Sequence, residues 1–349
     1  MVPVSVQASG ENMENRFFRW RGVDAHPTEI VPRELLPQLP HTDVRYFVRI
    51  LQHLDEALSG AGLTFFLTWH MDAFHEAMQD AVVILVGDEH NQMPSYHSKV
   101  RAIFKVAGLR GAPFRETIRL PPSVASRVLL RDAWNSVFRF KRRVQYKLPR
   151  NFVTPAYDIP AGTGALLDVD PPPIDQRRVD VFFAGGASSG LMPRARATAR
   201  RQMAAAVAAA RIALPEYRME SILGRDRSGK RLSPAIYTET LANAKIALAP
   251  RGNYDAESWR LFEAAKLGCV IVAEPLPPRW YFRDCPAVSI RKWSLLPNVL
   301  RNLLRDPPTL VRLALRSRQW WNATVSEAAV AKFIAQTIVS IPQDSLSPP

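Results

Sequence analysis

Side chains suited to binding a phosphorylated sugar follow one another closely in the second half of the chain. Arg251 can pair with a phosphate, and Ser258 offers a small hydrogen-bond donor for its oxygens. Glu263 can accept hydrogen bonds from the vicinal hydroxyls of a ribose, and Asp255 lies eight residues before it. Both carboxylates would face one ligand if a helix reaches back to Asp255. A plain β–α–β unit, whose Glu263 and Arg260 pair with surface charges, explains the same spacing.

The elements around these residues read as a strand, a polar loop, a helix and a second strand. Residues 246–249 form an apolar run that Pro250 and Gly252 stop. Apolar side chains at intervals of three and four predict a helix over 256–267, and the β-branched run 270–273 predicts the next strand. In such a unit the loop and the helix N-terminus lie at the carboxyl edge of a parallel sheet, which is where open α/β sheets bind ligands.

This stretch resembles the carboxyl-terminal domain of exostosin-like glycosyltransferases, which have the two-domain GT-B fold. In that family a strand ends in a Pro-x-Gly loop, a Ser-x-Arg-x-x-Glu-Ala helix follows, and Gly-Cys-x-x-Val opens the next strand. The residues of this chain at those places are Ser258, Arg260, Glu263, Ala264, Gly268 and Cys269. The match is strongest over 246–275 and weaker from 179 to 293.

The resemblance implies a nucleotide-sugar donor site. It places Glu263 at the donor ribose, and Arg251 and Ser258 near the diphosphate. Asp255 stands where many GT-B enzymes carry the first Glu of a Glu-x7-Glu pair, so this position departs from their pattern. The other donor-binding candidates are Gly252, Asn253 and Arg260, together with Gly186 in the glycine-rich run after a predicted strand at 179–184.

A second polar cluster follows the most apolar run of the first half, 81–86. Asp88, Glu89 and His90 come directly after it, and each is of a type that can take a proton from an acceptor hydroxyl. We therefore predict that this loop lines the active site and supplies the catalytic base. His70, Tyr96 and His97 are further candidates for the same edge of the sheet. Alternatively, Asp88 caps the following turn and Glu89 is simply solvated.

Length and composition predict a two-domain globular protein. The chain has 349 residues, 47% of them hydrophobic, and no apolar run of membrane-spanning length. Its first residues lack the pattern of a secretory signal, so we expect a cytoplasmic protein, with peripheral contact at the inner face of the membrane as an option. Two cysteines are too few for a disulfide scaffold or a zinc site.

The formal net charge of +14 indicates an anionic partner or surface. Anionic membrane lipid and an acidic glycan are the partners that we consider first. A nucleic-acid binder would also explain the charge, but aromatic residues do not interleave with the basic ones. Residues 224–230 nearly spell a phosphate-binding loop, yet Arg231 stands where that motif needs Ser or Thr.

We predict an α/β protein of GT-B type, with two Rossmann-like domains facing a cleft and a C-terminal helix that crosses back to the first domain. The expected divisions are an irregular lead-in at 1–40, an acceptor-side domain at 41–160, a linker at 161–178, a nucleotide-sugar domain at 179–325, and a C-terminal helix and tail at 326–349.

The expected function is transfer of a sugar from a nucleotide-sugar donor, possibly a UDP-sugar, to a glycan, a lipid-linked acceptor or another hydroxyl. The resemblance implies an inverting reaction without a cofactor or bound metal. The alternative is a protein that binds nucleic acid or acidic glycan and transfers nothing.

Overall fold

The computed structural model describes most of the two halves of the chain. The described residues are 14–20, 26–39, 43–69, 78–86, 94, 96–97, 99–106, 126, 130, 133, 156–164, 166–186, 193–223, 232–252 and 257–341.

The first half contributes a six-stranded sheet whose strands lie in the order β2-β1-β3-β4-β5-β6. Strand β2 runs antiparallel to β1, and the other neighbours pair in parallel. The strands are β1 (Arg16–Trp20), β2 (Thr28–Glu29), β3 (Thr64–Thr68), β4 (Met78–Leu85), β5 (Val100–Val106) and β6 (Ala156–Ile159). Helices α1 (Pro32–Leu35) and α2 (Asp43–Ala57) lie between β2 and β3 in the chain.

One sequence prediction for this half was wrong. The lead-in predicted as irregular contains β1, because Phe17 and Phe18 stack on Phe65 and Phe66 of β3 with 5.2 Å between ring centroids in each pair. Strand β6, which pairs with β5, lies at the end of the predicted first domain. Neither β1 nor β6 has a strong local signal, since the partner strand of each is distant in sequence.

The second half forms a five-stranded parallel sheet in the order β11-β10-β9-β7-β8. Its strands are β7 (Val179–Gly185), β8 (Met219–Leu223), β9 (Ala244–Ala249), β10 (Val270–Ala273) and β11 (Val288–Ser289). The sequence predicted β7, β9 and β10. Successive strands run outward from β7 to β8 and then return to the other side of β7, so the order reverses between β7 and β9.

Helices connect and cover these strands. They are α3 (Pro193–Ala213), α4 (Pro234–Ala242), α5 (Trp259–Lys266), α6 (Leu296–Leu304), α7 (Pro307–Trp320) and α8 (Glu327–Ser340). Ser233 caps α4, since its side chain accepts a hydrogen bond from Ile236 N–H. Helix α5 is shorter than predicted because Ser258 is extended, with φ −150° and ψ 149°, so the helix begins only at Trp259.

The C-terminal helix crosses back to the first sheet, as predicted. A turn of π-helix over Trp321–Val325 joins α7 to α8. From α8, Phe333 approaches the rings of Phe104 and Tyr157, which belong to β5 and β6, with centroid separations of 6.4 and 6.5 Å. The α/β class with two Rossmann-like sheets is confirmed, and the crossing helix agrees with a GT-B arrangement.

Trp320 and Trp321, at the junction of α7 and the π-helical turn, are packing residues. Each is 4% exposed. Trp320 stacks on Phe262 of α5, and its indole N–H donates to Tyr281 O at 2.9 Å. Within the described residues, no helix combines the length and apolarity needed to cross a bilayer.

Candidate functional site

The reversal of strand order between β7 and β9 defines the most favourable ligand position in the second sheet. Crossover connections leave these two strands in opposite directions, which opens a crevice at their carboxyl ends. The chain leaves β7 through Gly185 and Gly186, and it leaves β9 through Pro250 and Arg251. The loop that the sequence singled out therefore lies at the switch point of the sheet.

The N-terminus of α5 follows this loop. Ser258 is its N-cap and is 9% exposed, yet its side chain does not cap the helix. Among the described residues, none places a hydrogen-bonding atom against Ser258 Oγ. A buried hydroxyl without a partner costs free energy, and the first turn of a helix carries free N–H groups and the positive end of its dipole. The two features together suit an anion.

Arg251 is buried at the same edge. It is 8% exposed, and its Nε lies 3.9 Å from Glu274 Oε2, just beyond the end of β10. Glu274 is itself held by the Trp293 indole N–H, which donates to Oε1 at 3.0 Å. The Arg251 charge is therefore kept at the carboxyl ends of β9 and β10 by a carboxylate that has a fixed orientation.

Arg260 ties α5 to the end of β7 instead of facing solvent. Its Nε donates to Ala184 O at 2.6 Å, and its guanidinium lies over the Phe183 ring at 5.5 Å. Arg200 from α3 lies 5.9 Å from the centre of the same ring and donates to Gly186 O. Both arginines thus fix the strand end and the glycine run that follows it.

Glu263 is 4% exposed and is held on both oxygens. Gly164 N–H donates to Oε1 at 3.0 Å, and the Tyr237 hydroxyl donates to Oε2 at 2.6 Å. Burial raises the pKa of Tyr237 well above its usual value, and the Glu263 charge raises it further. The tyrosine is therefore a neutral donor, and the carboxylate keeps one orientation.

Sequence reasoning missed a second buried carboxylate, Glu257. Ala161 N–H donates to its Oε1 at 3.0 Å, the Tyr281 hydroxyl donates to its Oε2 at 2.8 Å, and Arg279 forms an ion pair with it. Glu257, just before α5, and Glu263, within it, thus accept hydrogen bonds from the backbone at Ala161 and Gly164. The sequence signal for these hydrogen bonds was the pair of glycines in the stretch Pro160-Ala-Gly-Thr-Gly164.

The backbone from Ala161 to Gly164 packs closely against residues of both halves of the protein. A Cβ on Gly164 would lie 3.0 Å from Trp259 Cε3 and 3.1 Å from Glu263 Oε1. Gly162 has φ +65°, and a Cβ there would fall inside the ring of Tyr46 on α2. The Tyr46 hydroxyl donates in turn to Val325 O at 2.7 Å. The linker therefore joins α2, α5 and the turn before α8.

An ion-pair network extends this junction. Asp168 Oδ1 lies 3.2 Å from Arg49 Nη1 of α2 and 3.4 Å from Lys266 Nζ of α5, and Lys266 also lies 3.6 Å from Glu327 of α8. The hydrogen bond from Arg49 lowers the pKa of Asp168 to about 2, opposed by partial burial and assisted by Lys266.

Asp168 also belongs to an Asp-x-Asp triplet with the exposed Asp170. Paired carboxylates of this kind can bind a divalent cation. Here Asp168 is engaged by Arg49 and Lys266. Over the described part of the chain, no three His, Cys, Asp or Glu side chains are grouped to hold a metal ion.

Several predicted residues lie outside the residues that the structure describes. These are Asp88, Glu89, His90 and His70 in the first half, and Asn253 and Asp255 in the donor loop. Tyr96 is described and fully buried in the apolar cluster of the first sheet, and His97 Nδ1 lies 2.9 Å from Pro94 O. Of the candidates, the structure brings together Gly186, Arg251, Gly252, Ser258 and Arg260 at the switch point, with Glu263 one turn further along α5.

Known proteins were compared with the chain in three ways. No family model matches the sequence, and no curated protein matches it. Sucrose-phosphate synthase from Thermosynechococcus elongatus is 12% identical, over 90% of this chain and 80% of that one, with a TM-score of 0.40. An alpha-glucosyltransferase in complex with UDP and a 13-mer DNA containing a HMU base is 8% identical, over 86% and 97%, with a TM-score of 0.41. AviGT4, a glycosyltransferase involved in avilamycin A biosynthesis, is 15% identical, over 85% and 90%, with a TM-score of 0.34.

These similarities are too low to carry a functional argument, which rests on the residues of the site. Fold and site together define a two-sheet α/β protein in which the N-terminus of α5 lies at the switch point of the second sheet.

Proposed function

We propose that the protein is a glycosyltransferase that moves a sugar from a nucleotide-sugar donor to a hydroxyl acceptor. The observation that carries this proposal is the buried Ser258 hydroxyl, which lacks a partner among the described residues at the N-terminus of α5. It lies beside the reversal of strand order in a parallel sheet, where α/β proteins bind nucleotides.

The diphosphate of the donor would lie at this helix terminus. The free N–H groups of the first turn and the Ser258 hydroxyl would bind its oxygens, and Arg251 would supply a full positive charge nearby. Gly186, Gly252 and Asn253 would let backbone approach the same group. As the bond to the sugar breaks, negative charge grows on the diphosphate, and donors already in place stabilise it without reorganisation.

Glu263 would accept hydrogen bonds from the donor ribose. Each carboxylate oxygen has two acceptor positions, so the bonds from Gly164 and Tyr237 leave one on each oxygen. Because those bonds fix the carboxylate, little rotamer entropy would be lost on binding. Asp255 would reach the transferred sugar from the same side.

The acceptor half of the reaction needs a base, and we assign it to Asp88, Glu89 or His90. A base that takes the proton of the acceptor hydroxyl as the nucleotide leaves would invert the anomeric carbon. We propose further that the enzyme is exostosin-like, uses a UDP-sugar and acts on a glycan or lipid-linked acceptor. The positive helix end and Arg251 would take the place of a metal at the diphosphate.

Calorimetric titration with UDP-, GDP-, ADP- and CMP-sugars tests the proposal when the wild type is compared with S258A and S317A. Ser317 is a matched control, because its Oγ is also buried and lacks a partner among the described residues but lies within α7. We expect one nucleotide class to bind, and S258A to weaken that binding roughly tenfold or more, as for a hydrogen bond to a charged group. S317A should bind like the wild type.

Equal effects of both serine variants would refute a diphosphate at α5. If no nucleotide sugar binds while nucleic acid or an acidic glycan does, the transferase proposal fails. Binding of that anionic partner would then be the function to propose.

A further inference from the structure

One face of α7 is exposed along its whole length. The exposed positions recur at the helical interval and form two parallel rows on one surface. The first row contains Pro308, Val311 and Leu315, and the second contains Arg312 and Arg316. Arg305, at the end of α6, is also exposed. Val311 is 38% exposed and Leu315 is 60% exposed.

The opposite face of α7 holds the helix rigidly in the second domain. Leu310, Ala314 and Trp320 are buried in its cores. Arg318 turns inward, where Nη1 donates to Lys266 O at 2.8 Å at the end of α5. The exposed rows are therefore presented by a fixed helix, and changes there should leave the fold intact.

The segment that contains α7 has a strongly one-sided charge. Residues 291–320 contain seven lysines and arginines against a single acid, Asp306. Asp306 is the N-cap of α7, where its side chain accepts from Thr309 N–H at 3.1 Å. This segment thus contributes +6 of the +14 formal charge of the chain. Such a patch attracts an anionic surface.

The side chains of the face favour lipid over nucleic acid. Single-stranded nucleic acid is bound by aromatic side chains on which bases stack, and the exposed positions of α7 are aliphatic or polar. An aliphatic row beside a row of arginines is instead the pattern of a helix that lies in the membrane interface.

We propose that the exposed face of α7 docks the protein on an anionic bilayer. Val311 and Leu315 enter the headgroup–acyl boundary, and Arg305, Arg312 and Arg316 contact lipid phosphates. The contact is reversible and salt-sensitive, because it rests on few buried side chains and on charge. The inference does not depend on the transferase proposal.

Vesicle co-sedimentation of the full chain tests this surface. The probes are vesicles of phosphatidylcholine alone and of phosphatidylcholine mixed with phosphatidylglycerol, at low and high salt. We expect binding to the anionic vesicles at low salt. R312Q/R316Q should weaken it roughly thirtyfold, from about a fivefold loss per arginine, and V311S/L315S should weaken it at both salt concentrations.

The control is R16Q/R33Q, which removes the same formal charge from exposed arginines on the first half of the chain. It should bind vesicles like the wild type. Equal losses in R16Q/R33Q and R312Q/R316Q would show that net charge, and not α7, drives binding. Failure to bind anionic vesicles, equal binding to neutral ones, or preferential binding of single-stranded DNA in a competition would each overturn the proposal.

Discussion

The Tyr237 hydroxyl lies 2.6 Å from Glu263 Oε2, while the Gly164 N–H from the linker lies 3.0 Å from Glu263 Oε1. One buried carboxylate therefore receives donors from α4 and from the segment that joins the two sheets. Glu263, the residue proposed to bind the donor ribose, therefore also holds the linker through the Gly164 N–H.

Replacing Tyr237 with phenylalanine should destabilise the protein. The change removes a hydrogen bond to a buried charge, which we expect to lower the free energy of unfolding by about 1–3 kcal/mol. Denaturant unfolding measures the difference. Y217F is the control, since the Tyr217 hydroxyl makes only a long contact of 3.5 Å with Leu304 O. Equal unfolding midpoints for Y237F and the wild type would mean that the bond contributes nothing.

Alanine substitutions at Gly162 and Gly268 can distinguish the cost of backbone strain from the cost of a steric clash, because both glycines have left-handed backbone. Gly162 has φ +65° and Gly268 has φ +62°, so an alanine at either position should cost about 1–2 kcal/mol of backbone strain. At Gly268 the nearest atom to a new Cβ would be 3.7 Å away, whereas at Gly162 the Cβ would meet Tyr46. We expect G162A to lose about 2 kcal/mol more than G268A in denaturant unfolding. A smaller loss in G162A would argue against the tight linker–α2 contact.

Acid should weaken the protein partly through Asp168. Its pKa is depressed from 3.8 to about 2 in the fold, so its contribution is present above the unfolded value and is lost as the pH falls towards about 2. Between pH 3.8 and about 2, the thermal unfolding temperature should therefore depend less on pH in D168N than in the wild type. Because the Asp168 side chain is 48% exposed, the effect should be small and should shrink in salt.

The neighbouring D170N variant is the control for this experiment. Asp170 is exposed, and its replacement should leave the pH dependence as in the wild type. If D168N and D170N have the same acid profile, the ion-pair network with Arg49 and Lys266 does not act in solution.

Local pattern was enough to predict the second sheet around the site. The runs that became β9 and β10 are apolar, bounded by Pro or Gly, and separated by an amphipathic helix, so their neighbours in sequence are also their neighbours in space. The C-terminal helix was also predicted, within 326–349, and α8 is observed at Glu327–Ser340.

The hydrogen bonds between the linker and the two buried glutamates could not be predicted from local pattern. Ala161 and Gly164 meet Glu257 and Glu263 from 96 and 99 residues away. Nothing in the local pattern distinguishes a carboxylate that accepts a hydrogen bond from a distant backbone N–H group from one that is solvated. The start of α5 was also predicted too early, at 256, and Ser258 is instead the extended N-cap of a helix that begins at Trp259.

The most direct test of the central claim compares Glu263 with Glu257 in nucleotide-sugar binding. Both carboxylates accept one linker N–H and one tyrosine hydroxyl. Glu257 also forms an ion pair with Arg279, so E257Q should disturb the linker contacts at least as much as E263Q, and only Glu263 is assigned to the donor ribose. Calorimetry should show one class of nucleotide sugar binding to the wild type and to E257Q, and about tenfold or weaker binding to folded E263Q. No binding by the wild type, or equal affinity in E263Q and E257Q, would contradict a donor site at Glu263.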